Sequence, residues 1–157
     1  MDEIMAAQEN VALAWSLFDR FNRRQSDPAW LDKGVVAFAA DSEVIDVPSG
    51  ATLRGPDGYK RIVLFFAEGF PDSRTELTNA FATEDQVVLE TTWRWTPTGP
   101  LHLSTEAIPA TGRSAELRVC HVLQFRNGKI VSFHTYYDMM TMLDPLGLAP
   151  ATGQATE

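Results

Sequence analysis

The sequence holds a single cysteine, Cys120. An internal disulfide and a cysteine-based metal cluster are therefore excluded, and this usage fits a reducing compartment, with the cytoplasm as the default location. Basic residues are also scarce. Thirteen Lys and Arg stand against 21 Asp and Glu, for a net charge of −8, and no basic run is longer than Arg23-Arg24. A phosphate backbone or an anionic bilayer would be repelled, so neither nucleic acid nor a membrane is an expected partner. No apolar run approaches the roughly 18 residues needed to span a bilayer. The opening Met1-Asp2-Glu3-Ile4-Met5 is acidic where a secretory leader would be basic. Glycine-rich phosphate loops, His-Glu-x-x-His, Cys-x-x-Cys and Gly-x-Ser-x-Gly are all missing, which removes support for nucleotide hydrolysis, zincin chemistry and nucleophilic acyl transfer. The three histidines, His102, His121 and His134, fall on different expected strands, so no metal site is expected.

What is present describes an ordinary globular domain. At 157 residues, with 45% hydrophobic and 22% charged content, the chain is long enough for one sizeable core, and its four Trp, three Tyr and nine Phe can line a cavity as well as fill a core. Residues 1–148 read as a single domain. Residues 149–157, rich in Pro, Ala, Thr and Gly without periodicity, read as a disordered tail. Ile4, Val11, Ala14, Trp15, Phe18 and Phe21 recur at helical spacing, predicting an amphipathic helix from Asp2 to Arg24. Asp27-Pro28 opens a shorter helix. A strand over Ser42–Val47 and a return through Thr52-Leu53-Arg54 precede a third helix from Asp57 to Phe70. Thereafter strands dominate: Arg74–Thr83, Gln86–Thr96, Leu101–Ala107, Ser114–Arg126 and Lys129–Tyr137, with turns at Pro109–Gly112 and Asn127-Gly128. Asn-Gly between two long alternating runs predicts a type I′ hairpin. Helices first and antiparallel strands last predict an α+β domain with helices packed on one face of a curved sheet.

The strand patterns single out a few ionisable groups. Along Gln86–Thr96, Val87, Leu89, Thr91, Trp93 and Trp95 share one face, while Glu90 and Arg94 on the other read as a solvated ladder or, for Arg94, a pocket group. His121 falls in an apolar series with Leu117, Val119, Leu123 and Phe125, so it is either a hydrogen-bonded core residue or a pocket residue. On the last strand Ser132, His134, Tyr136 and Asp138 share a face and converge on a candidate polar site. Asp138 is then either a general acid/base whose pKa burial raises, or the cap of a helix over Met139–Leu143. Cys120, mid-strand, reads as a small buried hydrophobe.

Six segments in order resemble the SnoaL-like polyketide cyclase family: Gly55-Pro56-Asp57-Gly58-Tyr59, Phe70-Pro71-Asp72, Gln86-Val87-Val88, Pro109-Ala110-Thr111-Gly112-Arg113, Asn127-Gly128-Lys129-Ile130, and Tyr136-Tyr137-Asp138 followed by Leu146-Gly147. The resemblance runs from about Leu13 to Gly147. It implies the cone-shaped, nuclear transport factor 2-like (cystatin-like) α+β fold, in which helices and a curved antiparallel sheet enclose an apolar pocket. It also implies cofactor-independent chemistry on a small apolar or polyketide-like substrate, an aldol-type ester cyclisation or an isomerisation, with Asp138 as general acid/base. His121 and His134 join Asp138 as catalytic candidates, and Tyr136, Trp15, Phe38, Phe66, Trp93 and Arg118 are candidates for binding the substrate. A homodimer through the exposed face of the sheet is expected on the same basis. Two segments depart from the family pattern: Trp95-Thr96-Pro97-Thr98-Gly99-Pro100 stands where a Gly-Thr-His-x-Gly segment is common, and Pro145-Leu146-Gly147 where Gln-Leu-Gly is. Two alternatives stay open. One is a non-catalytic binding or dimerisation module; the other is an epoxide hydrolase-like enzyme, whose Asp-Arg-Asp arrangement Trp93-Arg94-Trp95 does not supply.

Overall fold

The computed structural model describes residues 2–96, 101–103, 106–108 and 114–147. Asn127 and Gly128 adopt φ of 53° and 74°, the two positive values a type I′ turn requires, and they close β7 (Ala115–Arg126) onto β8 (Lys129–Tyr137). Around this hairpin the sheet takes the order β2-β1-β8-β7-β4-β3, with β1 at Phe38–Asp46, β2 at Ala51–Arg54, β3 at Arg74–Ala82 and β4 at Gln86–Trp95. All neighbours are antiparallel except β1 and β8, the first and last long strands, which run parallel. A separate small hairpin joins β5 (Leu101–Leu103) and β6 (Glu106–Ile108), where the sequence predicts one continuous strand. The Pro109–Gly112 turn, the side chain of His102 and the 149–157 tail lie outside the described residues.

Helix α1 (Asp2–Asn22) packs on β3 and β4, and α3 (Gly55–Gly69) packs on β1, so both cover the same face of the sheet. Helix α2 (Trp30–Val35) fills the corner between them. A five-residue helix, α4 (Met139–Leu143), follows β8 and runs into a 3-10 turn at Asp144–Leu146. Alternation decides which side chains enter the core: Val87, Leu89, Trp93 and Trp95 of β4, and Leu117, Val119, Leu123 and Phe125 of β7, are all buried. The end of α1 is fastened to β3 by Asn22, whose side chain donates to the Thr75 carbonyl at 2.7 Å and accepts from the Thr75 N–H at 2.8 Å. That bond pair also satisfies the outer backbone groups of an edge strand.

The Gly55-Pro56-Asp57-Gly58 segment owes its glycines to close approach. Gly55 has φ of 70°, and a Cβ there would lie 2.9 Å from the Ala40 carbonyl oxygen. A Cβ on Gly58 would lie 2.9 Å from Leu53 Cβ and 3.1 Å from the Leu53 carbonyl carbon. Gly58→Ala is therefore expected to push α3 away from β2 and to cost about 1–3 kcal/mol, the usual range for overpacking. A lowered midpoint in urea unfolding is the readout, and an unchanged midpoint would refute the contact.

Candidate functional site

Between the inner face of the sheet and helices α1 and α3 lies a cavity of about 110 Å³. Its described walls are mostly apolar: Phe18 and Phe21 come from α1, Ile62, Val63 and Phe66 from α3, Val44, Trp93, Leu117, Val119 and Phe133 from the sheet, and Met142 from α4. The polar exceptions are Asp46, Tyr59, Thr75, Thr91, His121, Thr135 and Tyr137. The space is smaller than the roughly 300–1,000 Å³ of sites that take drug-sized ligands. It suits a compact molecule or one end of a larger one.

Asp46 is the carboxylate of this cavity. It ends β1, is 4% exposed, and is held by two hydroxyl donors. Tyr137 donates to Asp46 Oδ2 at 2.9 Å, and the Ser49 hydroxyl donates to the same oxygen. Among the described residues, no hydrogen bond engages Oδ1. A buried carboxylate without such donors would be strongly disfavoured; here one oxygen is anchored and the other accepts from no described residue. Burial first, and the neighbouring Asp46 charge second, push the Tyr137 hydroxyl well above its ordinary pKa, so it stays a proton donor through the neutral range. The two side chains come from the two parallel strands, where Asp46 is in register with Thr135.

His121 is a different kind of polar wall. The ring is 7% exposed, and burial lowers its pKa from 6.5 to about 3, so the imidazole is neutral. Both nitrogens face threonines, with Nδ1 3.1 Å from Thr135 Oγ1 and Nε2 3.4 Å from Thr91 Oγ1. The Thr91 hydroxyl spends its own proton on the Val119 carbonyl at 3.2 Å. Thr91 can then only accept, which assigns the proton to Nε2 and leaves Nδ1 accepting from Thr135. Phe18 covers one side of the ring at a centroid distance of 4.6 Å. A neutral, doubly engaged imidazole supplies shape and polarity and makes a poor proton acceptor.

The other residues marked out by the sequence divide between cavity, core and surface. Phe66 and Trp93 line the cavity. Phe38 is buried behind it, with its ring stacked on Tyr59 at 4.4 Å, and Trp15 stacks on Phe18 at 5.9 Å outside the described lining. Arg118 is exposed on the outer face of the sheet. So is Arg94, which pairs with Glu76 and Glu116 in the solvated ladder that the alternation allowed. The expectation that the His134, Tyr136 and Asp138 face converges on the site is corrected: Phe133, Thr135 and Tyr137 point inward instead. The reason is a bulge, since the β7–β8 register shifts between Gln124 and Phe125, so that Ile130 and Phe133 are both buried although three residues apart. His134 therefore lies on the outer face, with Nε2 3.0 Å from both Ser132 Oγ and Glu43 Oε1, and Tyr136 is 42% exposed.

Asp138 caps α4. Its carboxylate accepts from the Met140 N–H at 3.1 Å and the Thr141 hydroxyl at 2.6 Å, and the Thr141 bond holds its pKa below the ordinary carboxylate value. That helix carries Met142 into the cavity wall, so Asp138 reaches the cavity through the seating of a neighbour. Sequence reasoning missed Asp46 because Glu43-Val44-Ile45-Asp46 gives each strand face one acid and one aliphatic, and period-2 reading cannot choose between such faces. It missed Tyr137 because the bulge reverses the phase of β8. The usable signal was Tyr137's alternation with Phe133, two aromatics on one side of the strand.

Comparison with known proteins bears on the fold and the family. The sequence profile of the SnoaL-like polyketide cyclases matches residues 16–146. Among solved structures, a candidate SnoaL-like polyketide cyclase from Jannaschia sp. CCS1 superposes with a TM-score of 0.77 at 17% identity, covering 92% of this chain and 95% of its own. IdmH, a candidate polyketide cyclase from Streptomyces antibioticus, gives 0.68 at 24% identity, covering 88% and 98%. A Catenulispora acidiphila protein with a ketosteroid isomerase-like fold gives 0.65 at 18% identity, covering 84% and 92%. No curated protein matches. The expected α+β fold, helices over an open curved sheet, is the one observed.

Proposed function

The chain belongs to the SnoaL-like polyketide cyclase family, and on that premise we propose that it is a cofactor-independent acid/base enzyme whose Asp46 removes a proton from carbon next to a carbonyl. One observation carries the reading: a carboxylate 4% exposed, anchored through one oxygen by Tyr137 and Ser49, in a mostly apolar cavity. The C–H proton passes to Asp46 Oδ1 and its electron pair moves into the carbonyl, giving an enolate. That enolate either attacks a second carbonyl of the same molecule, closing a ring whose new alkoxide takes back the proton held on Asp46, or, where it is conjugated with a C=C bond, is reprotonated by Asp46 at the far carbon, which is isomerisation. Either way Asp46 ends as the carboxylate it began as. Orientation of the reacting ends within a small space supplies the rest of the acceleration.

This reading moves the acid/base role from Asp138 to Asp46. Asp138 has both oxygens engaged, faces water and is held in its ionised form, all of which weaken a base. His134, Tyr136 and Arg118 have no part in the chemistry on this reading, and His121, Phe66 and Trp93 shape the space. A homodimer through the outer face of the sheet, where Phe81 is 56% and Tyr136 42% exposed, belongs to the same proposal.

The small volume favours a second reading, a module that binds a ligand without turning it over. Hydrogen exchange separates the two. The protein is expected to speed deuterium wash-out from the α-carbons of 2-indanone, a compact enolisable ketone, well beyond the rate in buffer at the same pH, as followed by proton NMR. Binding of 2-indanone without faster exchange would favour the non-catalytic module.

A further inference from the structure

Tyr59 is 4% exposed and lines the cavity. Its ring is fixed on two sides, stacked on Phe38 at 4.4 Å and edge-on to Phe133 at 5.7 Å, so the hydroxyl cannot swing away to find a partner. Among the described residues nothing hydrogen-bonds that hydroxyl. Burial alone raises its pKa, with no contribution from a neighbouring charge or hydrogen bond, and it is therefore a protonated donor at neutral pH. Two described polar side-chain atoms are sealed away without partners, Ser42 Oγ and Trp95 Nε1. The Tyr59 hydroxyl is not one of these, so it keeps some accessible surface, and Tyr59 lines the cavity. Tyr137 differs, because its hydroxyl is committed to Asp46.

A buried donor that the protein leaves unused costs free energy unless something else accepts from it. The described cavity walls include no Lys or Arg, and they already hold one carboxylate, Asp46. An anionic ligand is thus disfavoured, and a neutral acceptor fits. We propose that Tyr59 is the ligand-facing hydrogen-bond donor of this cavity, and that its ligand is a compact, neutral, largely apolar ketone or ester whose carbonyl oxygen accepts from the Tyr59 hydroxyl. This rests on the acid/base reading and extends it. As Asp46 takes the α-proton, negative charge gathers on that oxygen, and a preset donor in a mostly apolar pocket stabilises the enolate more than the ketone.

The test pairs 2-indanone with indane, its counterpart without the oxygen, on the wild-type protein and on Tyr59→Phe. The infrared carbonyl band of bound 2-indanone is expected at lower frequency in the wild type than in hydrocarbon solvent, and this shift should vanish in the variant. Affinity for 2-indanone should drop about 3- to 10-fold, the exchange rate constant at saturation should drop further, and indane should bind both proteins alike. Tyr59→Phe should unfold at an unchanged or higher temperature, since no protein hydrogen bond is removed. An unshifted carbonyl band, or a variant that treats the two probes as the wild type does, overturns the role of Tyr59 while leaving the cavity and Asp46 intact. Failure of the wild type to bind either probe overturns both this inference and the acid/base reading.

Discussion

Asp46→Asn is expected to lower the rate of α-proton exchange by about 10²- to 10⁴-fold, the span that a positioned general base contributes. The substitution keeps size and shape. An asparagine carbonyl can still accept from Tyr137, where the carboxylate accepts at 2.9 Å, and from Ser49, so the strand end should hold while the negative charge is lost. Binding of 2-indanone should change little. Tyr137→Phe should cost less, about tenfold, because it removes an orienting bond and leaves the base present. Asp138→Asn is the decisive contrast. Asparagine caps helices about as well as aspartate, so α4 should stay seated and the rate should stay within about threefold of wild type. If instead Asp138→Asn abolishes exchange and Asp46→Asn does not, the proton is handled at the cap and the assignment to Asp46 is wrong.

The second large effect is on acid stability and comes from His121. Its pKa is about 3 in the folded protein, against 6.5 for a free imidazole, because the ring is buried between threonines and phenylalanines. The unfolded chain therefore binds a proton below pH 6.5 that the folded chain refuses. The contribution is present in full above pH 6.5 and is lost progressively as pH falls towards 3. A difference of this size is worth on the order of 5 kcal/mol, comparable to the whole stability of a small domain. Urea midpoints are expected to fall steeply from pH 6.5 to pH 4. His121→Gln fills the position with a polar group that does not titrate. Its stability should decline less steeply over that window, by about 1.4 kcal/mol per pH unit, the effect of one proton. Parallel curves for the two proteins would show that His121 is not the group responsible.

The fold was readable because its determinants are local. Asn127-Gly128 specifies a turn through backbone conformation, and the alternation from Val87 to Trp95 and from Leu117 to Phe125 identifies the inner face without knowledge of neighbouring strands. The site was readable only in part. His121 and Trp93 sit within apolar alternations and do face the cavity, as does Phe66 of the third helix. Asp46 and Tyr137 depend on events that leave no local mark. A bulge beside Ile130 reverses the phase of β8, and a pairing between the first and last long strands brings Asp46 inward. Asp138 was legible as both base and cap, and sequence offers no means of choosing between a carboxylate turned into a cavity and one turned back onto its own helix.

The parallel pairing of β1 with β8 also bears on when the site comes into being. Asp46 and Tyr137 are 91 positions apart, and parallel neighbours cannot be joined by a simple hairpin, so no local folding event brings them together. On a ribosome, the carboxylate is made long before its phenol partner. Until β8 inserts between β1 and β7, a growing chain can hold helices and much of the sheet without the Asp46–Tyr137 bond. The Asp46–Tyr137 bond would then form last, as a report that the chain has closed upon itself.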